Sequence, residues 1–197
     1  METMVRVLGI AASPRRDGNS TALLRAALEG AEAAGASASI IRINDLLFKG
    51  CQGCPSCPPE SCRQHDGLAP VLAALELADV WILASPVYFD GVSGQLKTFY
   101  DRLYWFRRQG TEIRPRLSGH RRAAIIITYE DPENASYLEM AGRLASYFPG
   151  FGRFPPAEVL AASGLGPPGA AAADRGLLQR AAALGKRLIA DLRDDRK

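Results

Sequence analysis

Short apolar runs rich in β-branched residues alternate with long helical patterns along the whole chain, and that rhythm restricts the fold more than any other feature. The spacing predicts a strand over Met4 to Ile10 and a helix over Thr21 to Ala34, rich in Ala, Leu and Glu. It continues through a strand at Ser39 to Ile43, a helix at Gly67 to Ala78, a strand at Val80 to Ala84 and a helix at Ser93 to Arg107. A strand at Ala123 to Thr128, a helix at Ala135 to Phe148, a strand at Glu158 to Ala162 and a helix at Ala171 to Leu192 complete it. Val80-Trp81-Ile82-Leu83-Ala84 and Ala124-Ile125-Ile126-Ile127 are continuously apolar, as strands are when helices cover both faces of a parallel sheet. The expectation is a doubly wound five-stranded α/β fold with ligands at the carboxyl ends of the strands.

At 197 residues and 47% hydrophobic content the chain can build one sizeable core, so a single domain over 1–197 is expected. With 24 basic against 21 acidic residues it is too balanced to act mainly on nucleic-acid phosphates. No apolar run is long enough to span a bilayer, and Val7 to Ala12 is too short for a secretory core, so no membrane role and a cytoplasmic location are expected. The stretch Gly164 to Gly169, "GLGPPG", reads as a connector before the last helix.

After the first strand comes "ASPRRDGNSTALL", residues 12–24. It is neither a dinucleotide fingerprint nor a Walker loop. Ser13, Asn19, Ser20 and Thr21 instead bring small hydroxyl and amide groups to a helix N-terminus, with Arg15 and Arg16 beside them. Unpaired N–H groups and the helix dipole favour an anion there, and a terminal phosphate fits better than a pyrophosphate. The competing reading is an ordinary helix cap by Asn19 or Ser20. A second loop, "SPVYFDGVSGQLKTFYDRL" (residues 85–103), offers aromatic and small residues able to wrap a planar ring.

These two stretches resemble the opening G-x-x-G-S-P-R-x-x-G-N-S and the S-P-x-Y-x-x-x-x-S-G-x-L-K-x-x-x-D-R segment of the flavodoxin-like NAD(P)H-dependent FMN reductases. The resemblance implies a flavodoxin-like sheet of order 2-1-3-4-5 and bound FMN. By position it makes Ser13, Arg15, Asn19, Ser20 and Thr21 phosphate ligands, with Ala12 where relatives commonly have Gly or Ser. Pro86, Val87, Tyr88, Phe89 and Gly91 then line the flavin ring. Where many relatives carry a Gly-rich loop this chain has "TYEDPENAS", residues 128–136, from which Thr128 and Tyr129 are carried over as ring contacts.

All four cysteines, Cys51, Cys54, Cys57 and Cys62, fall within "CQGCPSCPPESC". Cys57 to Arg63 matches a cysteine-phosphatase C-x5-R loop in form only, because Pro58 and Pro59 lack N–H donors. Zinc commonly takes cysteine pairs from separate elements, whereas four thiols in one loop suit a cluster better. Gly53, Pro55, Pro58 and Pro59 can turn the loop inward. The chain resembles iron-sulfur flavoproteins, whose compact C-x2-C-x2-C-x4-7-C insert after the second strand binds one [4Fe-4S] cluster. Cluster, zinc, and an empty thiol or disulfide loop stay open as readings. His65 reads as a surface histidine, and His120 receives no role.

The expected function is an FMN-dependent oxidoreductase passing electrons from NAD(P)H, or a reduced carrier, to a small-molecule acceptor or redox protein. No residue is named catalytic, since the flavin performs the chemistry. The alternative is an electron-transfer module exchanging electrons with ferredoxin-like partners. Six arginines between Arg107 and Arg122 stand against one glutamate, a solvated loop or a site for the NADPH 2'-phosphate. The aromatic run from Phe99 to Phe106 carries more apolar surface than one small core needs, which predicts a homodimer or homotetramer.

Overall fold

The computed structural model describes residues 4–58, 60–132 and 135–197. Five parallel strands form the sheet: β1 (Arg6–Ala11), β2 (Ser37–Arg42), β3 (Val80–Tyr88), β4 (Arg122–Thr128) and β5 (Glu158–Ala162). Their spatial order is β2-β1-β3-β4-β5, as the alternation and the family pattern predict. Burial explains the centre of that order. β3 and β4 carry the most continuous apolar runs, and Trp81, Ile82, Leu83, Ile126 and Ile127 are fully enclosed between the two helical layers.

One layer consists of α1 (Asn19–Ala33) and the long C-terminal helix, Arg175–Asp195. They cross closely because two glycines lack side chains at the contact. A Cβ on Gly30 would lie 2.0 Å from the Ala182 carbonyl oxygen, and one on Gly185 would lie 1.8 Å from that of Ala27. The other layer holds α2 (Ala69–Leu77), α3 (Gly94–Arg102) and α4 (Ala135–Ala145), so the C-terminal helix is α5. In that layer Trp81 meets Phe106 and Phe154 at centroid distances of 5.2 and 5.1 Å, and its Nε1 donates to the Leu75 carbonyl at 2.9 Å.

Three helices differ from the periodic pattern. The helix expected over Ser93 to Arg107 breaks at Leu103 and resumes as the turn Tyr104–Arg107, which aims Trp105 at the cysteine loop, its Nε1 donating to the Pro58 carbonyl. The one expected to reach Phe148 ends at Ala145, before the 3-10 turn Phe148–Gly150 that contains Pro149. The last is interrupted at Asp174, whose carboxylate accepts from Leu177 N–H at 2.9 Å and starts α5.

The aromatic run also differs from its expectation. Phe99, Tyr100, Trp105 and Phe106 are all buried within one chain, and only Tyr104 is exposed. The hydrophobic surplus inferred for subunit contact is therefore spent on the core, and this segment lends the homodimer or homotetramer no support. Among the described residues no helix is long and apolar enough to cross a membrane.

Candidate functional site

At the carboxyl ends of β1, β3 and β4 lies a cleft of about 260 Å³. Its lining comes from four segments: Ser13, Arg15, Gly18, Asn19 and Ser20; Pro86 to Tyr88; Thr128 to Glu130; and Leu165 with Gly166. Fold topology alone brings these together, since residues 13 and 166 share no local structure.

The β1–α1 loop is tightly wound. Ser13 Oγ accepts from Arg15 N–H at 3.1 Å, and a Cβ on Gly18 would stand 2.4 Å from that oxygen, so only glycine closes the turn. Gly18 occupies the N-cap position, and no side chain caps the helix. The expected alternative, a cap by Asn19 or Ser20, is not formed. First-turn N–H groups of α1 thus lack intrahelical partners, and the buried Ser20 hydroxyl beside them has none either. An uncapped helix start with an orphaned hydroxyl in a cleft fits a phosphate group, which would satisfy both. Arg15 adds a cation at the mouth, whereas the Arg16 guanidinium is engaged by Asp45 at 3.4 Å.

Asn19 and Thr21 take other positions. The Asn19 amide is fully occupied: it donates to the Leu165 and Pro167 carbonyls at 2.9 and 3.0 Å and accepts from Ala171 N–H at 3.1 Å. Its side chain pins the loop after β5 over the cleft, leaving its backbone as the part that can meet an anion. Thr21 is buried with an orphaned hydroxyl, yet it lines a separate groove between α1 and α5, with Asp17, Arg25 and Leu178. One residue further along a helix points about 100° away, which is why Ser20 and Thr21 part.

The second loop is a hairpin. β3 runs on through Tyr88 and turns back at Phe89-Asp90 into the short strand Gly91–Val92. Both turn residues have positive φ, 47° and 58°, as a two-residue hairpin turn of primed type requires. Pro86, Val87 and Tyr88 line the cleft. Phe89, fully exposed at the tip, and Gly91, paired to Tyr88, do not. Two buried serines lock this hairpin to the β1–α1 loop. Ser93 Oγ donates to the Ala12 carbonyl at 2.9 Å, and Ser93 N–H donates to Ser85 Oγ at 2.9 Å. Thr128, buried at the end of β4, and Tyr129, packed on Tyr137 with centroids 4.7 Å apart, form the opposite wall. Glu133 and Asn134 of the 128–136 segment lie outside the described residues.

The cysteine loop sits between β2 and α2. Cys51, Cys54, Cys57 and Cys62 all line one small cavity together with Arg102 and Trp105, and all four are free thiols. The backbone is held from outside. Cys57 and Gly110 exchange two N–H···O bonds at 2.9 and 2.8 Å. The Arg108 guanidinium donates to the Cys54 and Pro55 carbonyls, and that of Arg116 to the Cys57 and Pro58 carbonyls. Burial pushes the Cys57 thiol up, against the pull of Arg108 and Arg116. Among the described residues no group of three or more His, Cys, Asp or Glu is placed to hold a metal ion. What the four cysteines share is one small cavity, with the Arg102 side chain among its lining. Pro59 lies outside the described residues.

A family model described as NADPH-dependent FMN reductase matches residues 5–131, from β1 through the far wall of the cleft. The chain belongs to this family. Similar proteins include an iron-sulfur flavoprotein of Methanocaldococcus jannaschii, 39% identical over 58% of this chain and 60% of its own length. An iron-sulfur flavoprotein of Archaeoglobus fulgidus is 34% identical over 62% of this chain and 54% of its own. The chain thus spans little more than half the length of these relatives. A flavone reductase matches with TM-score 0.70 at 18% identity, covering 98% of this chain and 64% of that one. An NAD(P)H:quinone oxidoreductase from Methanothermobacter marburgensis matches with TM-score 0.67 at 17% identity, covering 96% of each chain. At such identities these two show the fold.

Three wall residues of this FMN reductase-family cleft, Glu130, Leu165 and Gly166, carry no motif. The Gly164 to Gly169 segment is a wall as well as a connector, and Gly166 lets the Glu130 carboxylate approach, since a Cβ there would lie 2.7 Å from it. Its position after the last strand's carboxyl end was the available signal. The arginines from Arg107 to Arg122 are largely committed: Arg108 and Arg116 hold the cysteine loop, Arg121 donates to the Ala78 and Glu76 carbonyls, and Arg122 pairs with Asp195 at 2.8 Å. Of the six, Arg107 lies over the Tyr147 ring at 5.9 Å.

Proposed function

We propose that this protein is an FMN-dependent oxidoreductase that takes electrons from NAD(P)H or a reduced carrier and delivers them to a small-molecule acceptor or a redox protein. The observation that carries the reading is the uncapped start of α1, with the orphaned Ser20 hydroxyl, opening into a cleft at the switch of the sheet. FMN, when bound, supplies the hydride and single-electron chemistry. The chain's own residues bind and orient. Ser13, Ser20, the first N–H groups of α1 and Arg15 hold the phosphate. Pro86, Val87, Tyr88, Thr128 and Tyr129 flank the planar ring, and the Ser85–Ser93 lock keeps the two loops at fixed separation. Extraction and chromatography of the bound flavin, with NAD(P)H oxidation followed under turnover, test the reading. FMN released by heat together with donor-dependent turnover supports it, and FAD or no flavin after reconstitution defeats it.

A second reading is an electron-transfer flavoprotein in which the cysteine loop holds one [4Fe-4S] cluster. The four cysteines lining one cavity favour it. Anoxic iron and sulfide analysis beside Cys54→Ser tests it: about four irons per chain, with a large loss in the variant, is the expected outcome. Near-zero iron in both makes the loop structural or thiol-redox.

A further inference from the structure

Arg102 is the largest charged side chain enclosed in the protein, with 1% of its surface exposed. It stands at the end of α3, behind the cysteine loop. Its Nη1 donates to Asp66 Oδ2 at 2.7 Å and to the Lys49 carbonyl at 2.8 Å, and its Nη2 donates to Asp66 Oδ1 at 3.2 Å. The Nε–H is buried with no partner. The same side chain lines the cavity that all four cysteines line, and Cys62 is near enough to act on the guanidinium through charge and hydrogen bonding. Nε of Arg108, on the loop's other flank, is likewise buried and orphaned.

Leaving a guanidinium N–H buried and unpaired is costly, the more so on a charged group. Arg102 lines the cysteine cavity, so an acceptor held by the four cysteines would satisfy its Nε–H. Charge points the same way. Arg102, Arg108 and Arg116 stand against the loop, with Asp66 paired to Arg102 and Glu76 and Glu60 acting on Arg116. A thiolate-ligated centre carrying net negative charge is favoured beside guanidinium groups.

We infer that Arg102 is a positioning residue for a thiolate-ligated iron-sulfur centre, its Nε–H donating to the Cys62 sulfur and its charge favouring the reduced, more negative state. This rests on the second reading above. Hydrogen bonds to cluster sulfurs and nearby positive charge both raise a reduction potential. Removing them lowers it.

The test is anoxic redox titration with dithionite, followed by absorbance or electron paramagnetic resonance, on full-length wild type, Arg102→Lys and Arg102→Met, each assayed for iron, sulfide and FMN. Lys keeps the charge and loses the Nε–H; Met loses both. The expected result is a potential that falls from wild type to Lys to Met, with Met shifted at least tenfold in the oxidised-to-reduced ratio, about 59 mV for one electron. Should Arg102→Met fail to fold, Arg102→Lys and Arg108→Met carry the comparison. A merely structural Arg102 would lower the melting temperature and leave the potential of the iron-loaded variants unchanged, which overturns the inference while the cluster stands. Wild type without iron and sulfide after reconstitution overturns both together. FMN content, held by a different cleft, stays at the wild-type level.

Discussion

Replacing Asp66 by Asn tests how the cysteine loop is tied to the core. Asp66 sits just before α2, where its carboxylate receives Arg102 through two hydrogen bonds and the N–H groups of Lys49 and Leu68 at 3.1 Å each. Burial alone would raise its pKa, but these four donors outweigh it and hold the carboxyl below the ordinary value of 3.8. Asn keeps the size and one acceptor oxygen, yet leaves the Arg102 charge enclosed without a counter-ion. Breaking a buried pair from one side costs about 3–5 kcal/mol, and partial exposure of Asp66 puts this pair near the lower end. At about 2–4 °C per kcal/mol for a chain of this length, Asp66→Asn should melt about 6–12 °C lower. Urea unfolding of apo-protein at pH 7 measures the loss directly. The acid limb adds a second check. A depressed folded pKa contributes stability that is complete above 3.8 and lost as pH falls through the folded value, so the gap between wild type and variant should hold from neutral pH down to about 3.8, narrow from there to the folded value and be closed below it. Adding Arg102→Met to the Asn variant should recover part of the loss, because no charge is then stranded. A cost under about 1 kcal/mol for Asp66→Asn would mean that the pair behaves as a surface pair and the reasoning fails.

Ser20→Ala should leave apo-protein as stable as wild type or slightly more so, because the hydroxyl has no partner there, while weakening FMN about tenfold to a hundredfold; melting curves and flavin fluorescence titration check the two arms. Gly185→Ala should cost about 1–3 kcal/mol or more by forcing α5 off α1, measured by urea unfolding, with FMN affinity per folded molecule little changed. Asn19→Ala should unpin the loop at 165–171 and raise proteolytic cleavage there, since three hydrogen bonds are lost at once.

Layer order was legible in the sequence because it depends on periodicity, which is local. Continuous apolar runs in β3 and β4 mark central strands, and helical spacing marks the covering layers. The place of the first loop in the cleft was legible for the same reason, since Ser13 to Ser20 is contiguous and follows a strand that runs straight into a helix. The direction of individual side chains was not. Asn19 and Thr21 belong to the motif, but where an amide or hydroxyl points depends on the 165–171 loop and α5, more than a hundred residues away. Phe99 to Phe106 reads as surplus apolar surface until Trp81, Phe148, Phe151 and Phe154 arrive from other elements to bury it. The spacing of the cysteines marked them as one group, whereas Arg102, Arg108 and Arg116 gained their relation to that loop only when α3 and the following segment packed behind it. Spacing along the chain fixes which groups are available, but a buried charge takes its meaning from its neighbours, and those are supplied by contacts that no local pattern encodes.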